Sequence, residues 1–166
     1  MSVEMKKFLE QGIAQIPLSH DIRPQLVQLG FHGPADIVLF AYYGRMPFEE
    51  LLGVHWAELQ SMHTEFKKAG INLVYPYSRS LRLDIIDECK KIFMGDGIDY
   101  LMGDDVLTRM FSQHHITTVG DYVDFVNKHP KEYMDMKHTN ARQIARLNMW
   151  LHEFGFDIDN GGWRDN

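Results

Sequence analysis

The apolar residues of this chain recur mostly at helical spacing. In residues 3–15 they form one stripe, with charged side chains mostly on the opposite face. That stripe consists of Val3, Phe8, Leu9 and Ile13. It predicts a leading helix within residues 1–15. From Ile16 onward, helix-like runs alternate with glycine and proline turn signals, and five short helices fit between these breaks before residue 75.

The last run of this first half ends at Gly70. Its apolar residues are spaced by three or four positions, as on one face of a helix. They are Leu59, Met62, Phe66 and Ala69. Because glycine adopts left-handed backbone angles without a steric penalty, Gly70 is predicted to end this helix.

Residues 16–75 align without a gap to residues 101–160, at a shift of 85 positions. Few residues are identical, but large apolar residues fall at the same points between the same breakers. These pairs are Ile22/Leu107, Leu26/Phe111, Phe31/Ile116, Leu59/Ile144, Met62/Leu147, Phe66/Leu151 and Ile71/Phe156. We therefore predict an all-α protein made of two copies of one helical module, residues 16–75 and 101–160.

The two modules are separated by residues 76–100, which have a helix-like apolar stripe from Ser80 to Phe93. This segment is predicted to be a bridging helix. The glycine-rich residues 161–166 are predicted to form a flexible tail.

The composition is that of a folded protein, with 45% hydrophobic and 24% charged residues. No apolar run reaches the roughly 18 residues of a membrane span, and the N-terminal segment lacks the apolar core of a signal peptide. Cys89 is the single cysteine, so an intrachain disulfide is excluded. These features favour a cytoplasmic protein that does not insert into membranes.

The second module contains the segment Ile116-Thr117-Thr118-Val119-Gly120-Asp121-Tyr122-Val123. A charged helix, the run Thr139 to Ile144 and a closing helix up to Gly155 follow it. This order resembles the C-terminal domain of the bacterial RNA polymerase alpha subunit and its helix-hairpin-helix relatives. The resemblance implies tandem helix-hairpin-helix-like modules and a role near transcription or DNA metabolism.

The resemblance also implies DNA contacts, made in that family by an Arg and an Asn of the first helix and by a Gly-Lys-Lys-Ser turn. At these positions the second module has Val106, Arg109 and the turn 140–143, in which only Arg142 is charged. The first module has Asp21, Pro24 and a turn at 55–58 in which Trp56 replaces a lysine.

Candidate catalytic and metal-binding groups do not form a known motif. No two of the nine histidines have the i, i+4 spacing of a two-histidine metal site. The sequence also lacks a nucleophile elbow, a phosphate-binding loop and a dinucleotide glycine signature. We therefore expect no catalytic residues, no metal and no cofactor, and an unrecognised enzyme is the third alternative.

Charge distinguishes the two modules. Residues 128–146 carry five basic and two acidic side chains, whereas residues 43–61 carry one basic and three acidic ones. A basic face on the second module would suit phosphate groups, with a helix N-terminus nearby. The candidate nucleic-acid-binding residues are Lys128, Lys131, Lys137, Asn140, Arg142 and Arg146.

Aromatic residues provide the other candidate surface. Tyr42, Tyr43, Phe48 and Trp56 lie in and around the turns of the first module, and tyrosine and tryptophan are frequent interface anchors. The net charge of −6 argues against nonspecific coating of nucleic acid. The sequence therefore favours a non-catalytic binding protein with a protein partner, and DNA or RNA binding through the second module is the alternative. It does not determine the oligomeric state.

Overall fold

The computed structural model describes residues 1–98 and 105–165. This part of the chain is mainly helical, with ten α-helices and one two-stranded sheet, which confirms the all-α class. The helices are α1 Val3–Leu9, α2 Ile22–Gln28, α3 Pro34–Tyr43, α4 Phe48–Leu52, α5 Trp56–Lys68, α6 Leu83–Gly95, α7 Asp105–Gln113, α8 Val119–Lys128, α9 Pro130–Thr139 and α10 Ala141–Glu153. The strands are β1 Phe156–Asp157 and β2 Gly162–Trp163, and short 3₁₀ turns cover Ile13–Gln15 and Tyr77–Ser80.

The chain forms two compact units, Met1–Phe93 and Met94–Asp165. The predicted bridging helix is present as α6, and all but its last two residues belong to the first unit. Ile85, Ile86, Cys89 and Phe93 of this helix are buried.

The leading helix of the first unit is shorter than the apolar stripe predicts. It starts after Ser2, whose hydroxyl accepts the Met5 amide at 3.1 Å, and it ends at Leu9. Gly12 is extended, and the next amide, that of Ile13, donates to the His32 carbonyl at 2.7 Å instead of continuing the helix. The chain therefore leaves the helix here, and the Ile13 amide bonds to a distant carbonyl instead of a carbonyl of the preceding turn.

Residues 16–75 contain four α-helices, not the five that were predicted. The core helix is α3, in which eight of ten residues are buried. Its hydrophobic residues face several neighbours at once, and α1 and the 3₁₀ turn Tyr77–Ser80 both pack on it.

The helices of the two units correspond at the shift of 85 residues. The bounds of α3 and α5, moved by 85, are those of α8 and α10. All seven predicted apolar pairs are buried. Gly70 and Gly155 both have left-handed φ angles, 89° and 104°, just past α5 and α10, which confirms the predicted helix ends. Gly30 and His115 are a further left-handed pair, with φ angles of 89° and 58°.

A carboxylate at equivalent positions, 85 residues apart, organises the start of α3 and of α8. Asp36 accepts the His32 amide at 2.7 Å, and Asp121, 85 residues later, accepts the Thr117 amide at 3.0 Å. In the second unit, Thr118 also accepts the Asp121 amide and completes a capping box. The hydrogen bonds from Thr117 lower the pKa of Asp121 because they stabilise its ionised form.

The core of the second unit contains a hydrogen-bond network of three polar side chains. The Tyr122 hydroxyl donates to Asn148 Oδ1 at 2.7 Å, and Asn148 Nδ2 donates to the Tyr133 hydroxyl at 2.9 Å. Burial raises the pKa of Tyr122 above its ordinary value. This hydrogen-bond network links α8, α9 and α10.

Part of the segment predicted to be a flexible tail forms a strand. Gly162 and Trp163 form β2, which pairs antiparallel with β1, and the rings of Trp163 and Phe156 lie 5.3 Å apart. The contact between the rings of Trp163 and Phe156 stabilises this pairing, although the segment is rich in flexible glycine.

Candidate protein-binding groove and basic face

Trp56, the tryptophan of the predicted aromatic surface, is exposed: 43% of its surface is accessible. It is the first residue of α5, directly after the extended residue His55. Its indole lies over the imidazole of His63, with ring centroids 4.4 Å apart and planes inclined by 34°. One side of the indole thus rests on the protein, and part of its surface is open to a partner.

Trp56 borders an open groove of about 280 Å³ in the first unit, which we call the Trp56 groove. One stripe of α5 forms one wall, because its residues follow at three- or four-residue steps. The segment after Gly70 forms the other wall. The lining residues are Trp56, Gln60, His63, Thr64, Lys67, Ile71, Asn72, Val74 and Tyr77.

His63 is an unusual component of this groove. Its side chain is buried, and neither ring nitrogen has a hydrogen-bond partner within the part of the chain that the structure describes. Burial lowers the pKa of His63 below 6.5, and the carboxylate of Glu49 counteracts this shift in part. The neutral imidazole is therefore favoured under the indole, at a desolvation cost of roughly 1–3 kcal/mol.

The structure corrects two of the four predicted aromatic contact residues. Tyr43 is 4% exposed, and Phe48 is 2% exposed within a cluster in which its ring lies 5.3 Å from that of Phe40. Both belong to the core: Tyr43 is the last residue of α3, Phe48 is the first residue of α4, and both side chains are buried. Tyr42 is half-buried, with its ring 5.0 Å from that of Tyr43. Only Trp56 of the four lines the groove.

Eight of the nine lining residues were not predicted from the sequence, and two of these, Tyr77 and Lys67, have exposed side chains suited to binding. Tyr77 is 64% exposed and lies on the wall opposite α5. Lys67 is exposed at the C-terminal end of the α5 stripe. The helical spacing from Trp56 to Lys67 was visible in the sequence, but the return of the chain to place Tyr77 beside α5 was not.

Five of the six predicted nucleic-acid-binding residues are exposed in the second unit: Lys128, Lys131, Lys137, Arg142 and Arg146. In the described ranges, 1–98 and 105–165, none of these five has an ion-pair partner. Arg142 and Arg146 lie one turn apart on the outer face of α10, followed by Met149, which is 64% exposed. Lys137 Nζ lies 6.0 Å from the ring centre of Tyr133.

The sixth residue, Asn140, is a correction. It is 8% exposed, and its Nδ2 donates to the Met110 sulfur at 3.5 Å. Asn140 is the single residue between α9 and α10, and this tight corner turns its side chain into the unit instead of toward a phosphate. Five exposed cations therefore remain candidates for the basic face.

Cys89 lies on the buried side of α6 and is fully inaccessible. Burial raises the pKa of its thiol, and the carboxylates of Asp36 and Glu88 raise it further. Because the thiolate is the nucleophilic form, this environment keeps Cys89 in its unreactive form.

Comparison of the chain with protein-family models, with curated proteins and with solved structures found no match in any of the three. Within the described residues, no helix combines the length and the apolar character that crossing a membrane requires.

Proposed function

We propose that this chain is a non-catalytic binding protein that contacts a protein partner through the Trp56 groove. The single observation that carries the proposal is the 43% exposure of Trp56 at the border of an open groove. Partly exposed tryptophans that are held rigid are frequent interface anchors, because they add contact area at a small cost in conformational entropy. Stacking on His63 holds Trp56 in this way.

We further propose that both units are helix-hairpin-helix-like modules and that the chain is an accessory or regulatory factor near transcription or DNA metabolism. The coincident bounds of α3 with α8 and of α5 with α10 support the repeat. The link to transcription rests on the resemblance of residues 116–155 to the polymerase domain and on no contact in the structure.

Affinity capture from a nuclease-treated lysate of the source cells tests the protein-binding function. Trp56→Ala is the informative variant, because the second unit has Ala141 at the equivalent position and still forms the same helix. We expect this variant to lose partner affinity by about 2 kcal/mol, as at central aromatic anchors. Val27→Ala is the control, since Val27 is 52% exposed on α2 and does not line the groove. Equal capture by both variants contradicts the proposal.

The second candidate is nucleic-acid binding by the basic face, favoured by five exposed cations that form no ion pair with any residue of 1–98 and 105–165. Against it, residues 94–165 carry 12 acidic and 7 basic side chains, a net charge of −5. A net negative charge repels a polyanion, and this repulsion opposes the attraction exerted by the exposed cations. This balance places the candidate second.

Titration of random-sequence duplex DNA and single-stranded RNA at several salt concentrations tests this candidate. Arg142→Glu should weaken binding and reduce the salt slope by about one unit per lost phosphate contact. Lys7→Glu makes the same change of charge on the exposed side of α1 and serves as control. The candidate is eliminated by an absence of binding at low salt, or by equal effects of the two variants.

A further inference from the structure

The lining of the Trp56 groove carries one positively charged residue, Lys67. Among the nine lining residues, Lys67 is the charged one, and no aspartate or glutamate is present. The neighbouring Lys68 is already engaged, with its Nζ 3.0 Å from Glu65 Oε1. Lys67 has no such partner among residues 1–98 and 105–165. The groove thus offers an aromatic border at one end and an unneutralised positive charge at the other.

The remaining polar side chains of the groove are partly committed within the protein. The Thr64 hydroxyl donates to the Gln60 carbonyl at 2.9 Å, and Asn72 Oδ1 accepts the Val74 amide at 3.0 Å. The floor at Ile71 is fully buried and apolar. Selectivity for an occupant therefore depends on apolar contact with Trp56 and Tyr77 and on the charge of Lys67.

The dimensions favour a peptide segment over a small molecule. A volume of about 280 Å³ lies just below the range of roughly 300–1,000 Å³ typical of small-molecule pockets, and the groove is open. Trp56 and Lys67 are eleven residues apart on α5, or about 16 Å along the helix axis. An extended strand covers about 3.3 Å per residue, so roughly three to five residues span this distance, given the reach of the lysine side chain.

From this arrangement we propose that the Trp56 groove binds an extended segment of a partner protein in which an apolar side chain is followed, about three to five residues away, by a carboxylate. The apolar side chain lies between Trp56 and Tyr77, and the carboxylate pairs with Lys67. This inference rests on the proposed protein-binding function and specifies the chemistry of the partner.

Selection from a phage-displayed library of random 12-residue peptides against the full chain tests the proposal. We expect enriched sequences to combine an aromatic or large aliphatic residue with Asp or Glu at the stated separation. The best peptide is then synthesised with a fluorescent label, and its affinity is measured by anisotropy. Trp56→Ala should weaken binding by tenfold or more, on the order expected for a central anchor.

The charge is tested separately with Lys67→Glu, which should weaken binding several-fold, on the order of an exposed ion pair. A peptide with Lys in place of its acidic residue should recover affinity for this variant and lose it for the wild type. Lys7→Glu, on α1, is the matched control and should bind the original peptide as the wild type does.

Each other outcome overturns the inference in a recognisable way. Enriched peptides that are basic, or that lack an acidic residue, contradict the stated chemistry, although loss of binding in Trp56→Ala would still support the proposed function. Peptides that bind Trp56→Ala unchanged, or no enrichment at all, contradict binding in this groove. Concentration-dependent self-association in sedimentation experiments, abolished by Trp56→Ala, would assign the groove to a second copy of the chain. If lysate capture is also insensitive to Trp56→Ala, the proposed function itself fails.

Discussion

His63 and Asn148 are 85 residues apart, at equivalent positions of α5 and α10, and within residues 1–98 and 105–165 only Asn148 has hydrogen-bond partners for its side chain. In the second unit the partners are the hydroxyls of Tyr122 and Tyr133. The equivalent residues of the first unit are Ile37 and Phe48, which are apolar. The second unit therefore satisfies a polar group at this position, whereas the imidazole in the first unit has no hydrogen-bond partner in the described part of the chain.

Removing Asn148 should destabilise the second unit. Asn148→Ala leaves the buried Tyr122 hydroxyl without its acceptor, and we expect the free energy of unfolding to fall by roughly 1–3 kcal/mol. Urea denaturation measures this change. Met149→Ala, at the next and 64% exposed position of α10, should change stability by less than about 0.5 kcal/mol. Similar losses in the two variants would show that the hydrogen bonds of Asn148 are not responsible.

His63 should make the first unit less stable in acid. Its pKa is lowered by burial, so the unfolded chain binds a proton at a higher pH than the folded chain does. Stability is therefore lost as the pH falls below about 6.5, the unfolded pKa, and the loss is complete below the folded pKa. His63→Leu removes this proton. We expect the stability of this variant relative to the wild type to increase between pH 7 and pH 5 in denaturation experiments. A constant difference over this range would contradict the prediction.

Trp56→Ala should leave the protein folded and cost it only one stacking contact. The indole loses its stacking on His63, which is worth about 0.5–1.5 kcal/mol, but α5 remains intact because Trp56 is its first residue. Thermal denaturation of the variant checks this expectation. A loss of 3–5 kcal/mol would instead indicate a core residue, and the affinity effects of the variant could not then be assigned to a lost contact.

The left-handed positions give predictions of opposite sign for the two glycines and for His115. Gly70→Ala and Gly155→Ala should each cost about 1 kcal/mol, because both residues have positive φ angles. His115 has a φ of 58°, and His115→Gly should reduce this strain and stabilise the second unit by up to about 1 kcal/mol. Denaturant midpoints measure all three. Gly95→Ala is the control, since no atom lies within 4 Å of the added Cβ, and it should not destabilise the protein.

The sequence predicted the helical class because this class depends on spacing along the chain. Apolar residues 85 positions apart, such as Phe66 and Leu151, are buried alike since each helix must turn its apolar stripe inward. The end of α5 before Gly70 was also predictable from local sequence, because it depends on the φ angle of one residue.

The predicted sites were less accurate because exposure depends on packing between distant segments. Tyr43 and Phe48 have the composition of interface residues, but contacts with other aromatic rings of the first unit bury them. Asn140 is turned inward by the corner between two helices. The groove itself requires Tyr77 to lie beside α5, and no periodicity in the sequence encodes that approach.

The end of α10 is held by the segment that follows it. Arg164 donates from its backbone amide to the Gly155 carbonyl and from its guanidinium to the His152 carbonyl, both at 2.7 Å. These bonds satisfy carbonyl groups that a helix terminus otherwise leaves to water. The last turn of α10 and the β1–β2 pair should therefore open together, so that their slowly exchanging amide protons report a single unfolding event instead of gradual fraying.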